Sequence, residues 1–214
     1  LSDSGNRIVF SCHPAPDDPK GRSRVGVISF DGSRMEFVDT TTSPPMVDIS
    51  GDGTVIGSVD GSELRITKEG GSPLTILEAR GLTGIRLSQD GKRVFFVMSS
   101  DYVFPGTSNR LQRGIYVSGI DGSSMRKIAG AAEVAPILGV PVESVSSFYS
   151  ISRGAAMDAS GPGRVVFLVN ARTPGGRGHV FTAEADGSNL RKAVGPVGDV
   201  HSVGISHDGS TIAW

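Results

Sequence analysis

The chain has 214 residues, 30 of them glycine and one cysteine, with 21 basic against 22 acidic side chains and a formal net charge of −1. That length allows a sizeable core, in one large unit or two small ones. The charge balance excludes the strongly basic footprint of a nucleic-acid binder, the lone Cys12 excludes an intrachain disulfide, and no apolar run reaches the length of a membrane span.

Two short phrases alternate along the chain. The first is Ser, two variable residues, Gly, two variable residues, then Ile or Val; it begins at Ser2, Ser50, Ser88, Ser160 and Ser206. The second is an apolar residue, Gly-Ser seven positions on, a variable residue, then Leu or Met. Its copies run from Val25 to Met35 around Gly32, Leu64 to Leu74 around Gly71, Ile115 to Met125 around Gly122, and Val180 to Leu190 around Gly187. Asp31, Asp121 and Asp186 precede three of these glycines, and Gly70 precedes the other. Asp-Gly between two β-prone runs is a hairpin signal, because the tight turn needs positive φ.

In chain order the phrases predict a series of antiparallel four-stranded units. The first covers about 1–39, with Arg7-Ile8-Val9-Phe10 as a strand and a long connection at 11–24 holding His13, Asp17, Asp18 and Lys20. The second covers about 44–79. The third covers about 82–130, with strands near 82–88, 92–98, 113–119 and 124–129 and a loop at 99–112. The segment 129–151 connects it to the next unit. Ala131-Ala132-Glu133-Val134 could start a short helix there, which Pro136 and Pro141 would interrupt. It reads either as a cover over one end of the ring or as a lid or partner-docking element. The fourth unit covers about 152–195 with a loop at 170–178, and a partial unit covers 200–214.

Runs such as Arg93-Val94-Phe95-Phe96-Val97 and Arg164-Val165-Val166-Phe167-Leu168-Val169 are β-branched, aromatic and nearly continuous in apolar character. That suits strands covered on both faces. Successive marker serines are 48, 38, 72 and 46 residues apart; three spacings fall near the period of roughly 40–50 expected of a propeller blade. The 72-residue spacing accommodates insertions in loops. The expected fold is therefore all-β: a β-propeller of four-stranded antiparallel blades, about four plus a partial one, forming a single domain over 1–214. No sustained helical period supports a solenoid, and a two-layer sandwich would not explain the alternating phrases.

The phrases resemble the repeats of TolB-like β-propellers, a WD-like family with the consensus Ser-Pro-Asp-Gly-Lys-Arg-Ile-Ala-Phe, then Ile-Tyr-Val, then Asp-Gly-Ser-Asn-Leu-Arg. Ser88-Gln89-Asp90-Gly91-Lys92-Arg93, Ile115-Tyr116-Val117 and Asp186-Gly187-Ser188-Asn189-Leu190-Arg191 carry the resemblance. The chain departs where Asp3, Gly51, Gln89, Gly161 and His207 replace the proline. The resemblance implies a ring of six or seven blades and a periplasmic or extracellular location. Three strands are expected in the first blade, four in each of the next three and two at the end. Either 200–206 clasps the first blade, or the chain is part of a larger propeller whose other blades come from unseen sequence or another chain. The second arrangement is preferred. The chain starts at Leu1 rather than Met, and the start shows no signal-peptide pattern.

Topology places all the marker turns at one end of the blades and the long connections at the other. Loops on a rigid scaffold carry function, so the long-loop end is the expected binding face. Candidate contacts are Tyr102, Phe104, Arg110, Phe148, Tyr149, Arg153, Arg172, Arg177 and His179. Tyr, Phe and Arg suit a protein interface through contact area and forked hydrogen bonding; for any single one of them the reading as a solvated loop residue or packing anchor stands ahead of that, since hot spots are a minority even within interfaces. Two positions before the marker serines stand Asp48, Arg86, Asp158 and Gly204. The first three would form an ionic network lining the channel. That network is read as an inter-blade tie ahead of a ligand site.

His13, His179, His201 and His207 are dispersed, so no metal site is expected. Asp48 to Gly53 echoes half an EF-hand loop, but Val59 stands where the bidentate Glu belongs. There is no Gly-x-Ser-x-Gly elbow, no dinucleotide fingerprint and no phosphate loop. No cofactor is expected. These absences weigh against an enzyme, although propeller enzymes draw scattered residues from several blades. The leading expectation is a non-catalytic scaffold binding a protein or cell-envelope ligand through its long-loop face. The alternatives are the accessory or gating propeller of a prolyl-oligopeptidase-like hydrolase, and a polysaccharide-active propeller enzyme using His and Arg at the channel mouth.

Overall fold

The computed structural model describes residues 2, 4–13, 21–41, 44–60, 62–148, 157–161, 163–173, 176–197 and 202–214. The first sheet is β1 (Arg7–Cys12), β2 (Ser23–Ser29) and β3 (Met35–Thr41). The second is β4 (Met46–Ile49), β5 (Val55–Val59), β6 (Glu63–Lys68) and β7 (Leu74–Glu78). The third begins with β8 (Leu82–Leu87) and β9 (Arg93–Met98). A side hairpin of β10 (Tyr102–Val103) and β11 (Arg110–Leu111) follows, then β12 (Gly114–Gly119) and β13 (Arg126–Gly130) complete the sheet. Helix α1 (Ala131–Leu138) and a 3-10 turn, Val142–Ser144, lead into the fourth sheet. That sheet holds β14 (Val145–Phe148), β15 (Met157–Ala159), β16 (Arg164–Thr173), β17 (Gly176–Glu184) and β18 (Arg191–Val197). A hairpin of β19 (Gly204–Ile205) and β20 (Ile212–Ala213) ends the chain. The fold is all-β, built of antiparallel propeller blades.

Two segments depart from expectation. The connection 129–151 is structured for much of its length: Pro136 lies inside α1 rather than ending it. The helix tolerates the lost amide because Val134 and Ala135 are buried in the core, Glu133 accepts a 2.8 Å bond from the Gly130 amide, and Gly139 closes the helix at φ 67°. Beyond it, β14 pairs with the second half of β16 while β15 pairs with the first half. The innermost strand of this blade is thus split in two. The expected loop at 170–178 is instead mostly hairpin, with Asn170 paired to Gly178 and Thr173 to Gly176.

The core lies between sheets. Val25 and Val27 of the first sheet meet Ile49 and Ile56 of the second. Leu64 and Ile66 of the second meet Val94 and Phe96 of the third. Phe95 and Val97 of the third meet Val165, Phe167 and Phe181 of the fourth. Val166 and Leu168 of the fourth meet Val203, with Ile205 and Ile212 packed alongside. Phe95 and Phe96 are neighbours in sequence but belong to different clusters. So are Phe167 and Leu168. This is why these strands read as continuous apolar runs: alternate residues serve opposite neighbours. The innermost strands β4, β8, β15 and β19 contact one another in chain order, and β1, which follows its marker turn, contacts β4.

The first phrase is a turn closed by its serine. In every copy the Gly amide donates to the Ser carbonyl three residues back, at 2.8–3.0 Å. The Ser hydroxyl accepts from the amide that begins the next strand, at Arg7, Val55, Arg93, Arg164 and Thr211. The fourth turn is one residue shorter, pairing Ser160 with Arg164, where the others span five residues. Where the third residue is Asp, its carboxylate accepts from the Ser hydroxyl at 2.6 Å for Asp52, 2.7 Å for Asp90 and 2.6 Å for Asp208. The second phrase uses Asp31, Asp121 and Asp186 likewise: each accepts from the amide two residues on.

These bonds favour the ionised carboxylates. For Asp52 and Asp90, burial pushes upward, but bonds from the serine and from the turn amides outweigh it and hold both below the ordinary range. Asp208 is brought to about 2 by its bonds from Ser206 and Ser210. A depressed carboxylate contributes stability above its unfolded value and loses it as pH falls through its folded value. Asp90→Asn should therefore destabilise at pH about 7 and match the parent near pH 2 in denaturant titrations. A penalty independent of pH would contradict this. Phe95→Ala and Phe96→Ala should each cost about 3–5 kcal/mol in urea unfolding, although they face opposite ways. One large and one negligible loss would mean that a face is bare.

Candidate functional site

At the axis, the inner strands bring Asp48, Arg86 and Asp158 together from three successive sheets. Arg86 Nε lies 3.5 Å from Asp158 Oδ1, and its NH1 lies 3.8 Å from Asp48 Oδ1. NH1 also donates to the Ile85 carbonyl at 3.2 Å. The second oxygen of each carboxylate is held by the next sheet: Asp48 Oδ2 accepts from the Leu87 amide at 2.7 Å, and Asp158 Oδ2 from the Ile205 amide at 3.0 Å. Leu87 and Ile205 occupy the same repeat position, so one tie recurs. Burial pushes the Asp48 carboxyl up, against the pull of Arg86 and the Leu87 amide. The three groups line a polar cavity of about 310 Å³ near the marker turns, with Gln89 and His207 beside them.

The residues replacing the consensus proline form a second belt here. The Ser4 amide donates to the Gly51 carbonyl at 3.1 Å, Gly51 to Gln89 at 3.0 Å, and Gly161 to His207 at 2.9 Å. Proline at 51 or 161 would have no amide to donate. Gly161 also has no room for a side chain: a Cβ would stand 2.6 Å from both Gln89 Oε1 and His207 Cε1. Sequence reading noted these positions as departures but missed their role. A third tie joins Arg7 NH1 to the Gly53 carbonyl and Arg164 NH1 to the Gly209 carbonyl, both at 2.8 Å.

The opposite end carries the side hairpin and α1. Tyr102 and Phe104 stack edge-on at 5.3 Å and are partly buried against the core between the second and third sheets. Arg110 and Arg172 are exposed. Arg172 and Arg177 fall on strands β16 and β17 rather than in a long loop. Tyr149 and Arg153 lie outside the described residues, as does the side chain of Arg177. Phe148 and His179 are each 1% exposed, so neither is available to a surface partner. Phe148 packs on Phe167 with ring centroids 6.4 Å apart. His179 Nε2 lies 3.2 Å from Thr173 Oγ1, and burial, then Lys192, pulls its imidazole below the ordinary value.

Groups that the sequence did not single out organise this end. Arg113 donates through NH1 to the Ser146 carbonyl at 2.9 Å, and its amide donates to Asp101 at 2.7 Å. Lys127 pairs with Glu133 at 2.8 Å and donates to Gln112 at 3.1 Å. Burial pushes Glu133 up, but Lys127 and the backbone amides prevail and hold it low. Asp101, Arg113, Lys127, Ala131 and Val142 line a cavity of about 170 Å³ between hairpin base and helix. Among the described residues, no group of three or more His, Cys, Asp or Glu is placed to hold a metal ion. No helix there is long and apolar enough to cross a membrane.

Removing Arg86 would leave Asp48 and Asp158 facing each other. A carboxylate raised in the folded state contributes stability below its unfolded value and loses it as pH rises through its folded value. Arg86→Met should therefore destabilise at neutral pH, with the penalty shrinking as pH falls toward about 4. A penalty that stays constant from pH about 7 to 4 would contradict coupling across the three sheets.

No protein-family model matches the chain, and no curated protein matches it. Solved structures do. TolB from Acinetobacter baumannii superposes with a TM-score of 0.62 at 14% identity, over 99% of this chain and 47% of that one. A chain of the nidogen/laminin complex gives 0.54 at 11% identity, over 85% and 60%. An acylaminoacyl peptidase of Pyrococcus horikoshii gives 0.55 at 15% identity, over 90% and 31%. The present chain spans about half the length of that TolB. At these identities the likeness concerns architecture, and the architecture is that of a TolB-like β-propeller.

Proposed function

We propose that the chain is a non-catalytic propeller scaffold that binds a protein partner through the long-loop end of its third and fourth sheets. The observation that carries this reading is the joint placement of the β10–β11 hairpin and α1. Both are insertions, both stand at one end, and the Asp101 to Val142 cavity joins them. Around it, Val103 is 58% and Val142 47% exposed. Arg110 is exposed beside Val103. Apolar side chains with arginine on a braced scaffold have the composition of a protein interface. The likeness to TolB supports a periplasmic or extracellular setting.

A second reading is the accessory propeller of a hydrolase. It is favoured by the match to 31% of an acylaminoacyl peptidase. An α/β-hydrolase domain with a serine elbow encoded next to this chain would select it.

A photo-crosslinking side chain at Val103 should trap one discrete protein from a cell-envelope extract, and Arg110→Ala should weaken capture about tenfold. The same probe at Asn189, on a marker-type turn at the other end, should trap nothing. Equal capture from both positions would overturn the assignment.

A further inference from the structure

His179 is buried, yet its Nδ1 has no hydrogen-bond partner among the described residues. It lies opposite Val169 of β16 and shares a strand face with Phe181, so it belongs to the side of the fourth sheet that packs on the third. On its other flank β18 bulges. Gly178 pairs with Val197 and Val180 with Val194, which leaves both Gly195 and Pro196 opposite the single His179. Gly195 holds φ 125°, and a Cβ there would stand 2.8 Å from Nδ1. Pro196 has no amide to offer to the pairing. Strand β18 is also the edge of its sheet. The imidazole is thus enclosed by the one irregular stretch of an edge strand.

We propose that His179 is a pH-sensitive latch: the neutral imidazole keeps the bulge of β18 closed on β17, and its protonation from solvent releases that edge. With its proton on Nε2, the neutral ring satisfies its one donor at Thr173 Oγ1, 3.2 Å away. An imidazolium would carry a second donor on Nδ1, which has no acceptor in the closed strand pair. A buried charged donor without a partner is costly, and lifting β18 removes the cost by admitting water. Among the described side chains, the surrounding charges do not offset it. Glu133 of α1 is held by Lys127 and the Gly130 amide, Glu184 by Arg164, and Arg172 and Arg191 are exposed. The paired strand β16 offers Val169 and Ala171, and β14 offers Val145 and Phe148, all apolar. Burial, then Lys192 on β18, holds the imidazole below its ordinary value. A histidine depressed in the closed state takes up a proton on opening. Closure is therefore strongest above the open-state value of about 6.5 and weakens as pH falls below it, until the closed-state value is reached.

Amide hydrogen exchange between about pH 7.5 and 5, corrected for the intrinsic rate at each pH, tests the latch. Protection of the β18 amides should lie below that of β9 and fall by up to about tenfold per pH unit below about 6.5. The separate β10–β11 hairpin, which does not touch His179, should keep its protection over the same range. His179→Gln, uncharged at every pH, should flatten the β18 profile. Lys192→Glu, at an exposed position, would favour the imidazolium in the closed state and make the fall shallower; it decides the matter if His179→Gln does not fold. A β18 profile independent of pH in the parent overturns the proposal. So does a fall that persists unchanged in either variant. Protection of β18 equal to that of β9 also overturns it, because only global unfolding would then reach His179.

Discussion

The structure depends on one constraint: a sheet whose strands are apolar on both faces must have a neighbour on each side. Strands β9 and β16 state it most plainly. Val94, Phe96 and Met98 go to one neighbour and Phe95 and Val97 to the other; Val165, Phe167 and Val169 go one way and Val166 and Leu168 the other. Neither sheet could hold such strands in water alone. Stacking sheets side by side about an axis covers both faces of every inner member, and the same arrangement brings like positions of the repeat together at the centre. The apolar packing and the polar axis are thus two consequences of one geometry.

The polar ties then fix register between sheets that hydrophobic contact alone would let slide. Each works at a set position of the repeat: a carboxylate onto the next sheet's amide, an amide onto the next turn's carbonyl, an arginine onto the next marker glycine. They bond backbone groups that must in any case be satisfied. Arg86 departs from the pattern by standing where its neighbours carry Asp, and so bridges both. Its contacts of 3.5 and 3.8 Å are longer than fork-type pairs. The axis therefore holds the sheets by a loose ionic arrangement around an open cavity.

What was legible in the sequence was local. Ser-x-x-Gly specifies a turn through its own hydroxyl and glycine, so the hairpins and nearly all strands of the third sheet could be placed from residue order. Asp48, Arg86 and Asp158 were visible because a stacked repeat sets equal positions side by side. The remainder depends on contacts distant in sequence. Pro136 argues against a helix by propensity, yet burial of Val134 and Ala135 holds the helix through it. Phe148 and His179 look like loop residues until the split strand and the long β16–β17 hairpin bury them. The shortened fourth turn hides because Gly163 keeps its spacing from Ser160 while the strand closes one residue early. The amide belt through Gly51 and Gly161 is invisible without knowing which turns adjoin.

The functional argument inherits this order. The marker-turn end is consumed by ties between sheets, whereas the other end carries the insertions and keeps Val103, Val142 and Arg110 toward solvent. Amide hydrogen exchange tests the underlying claim most directly. Strands β9 and β16, covered on both faces, should exchange only through global unfolding, while β10 and β11, which form a separate hairpin beside the stacked sheets, should exchange faster through local opening. Protection of β10 and β11 equal to that of β9 and β16, or rapid exchange in β9, would contradict the stacked arrangement.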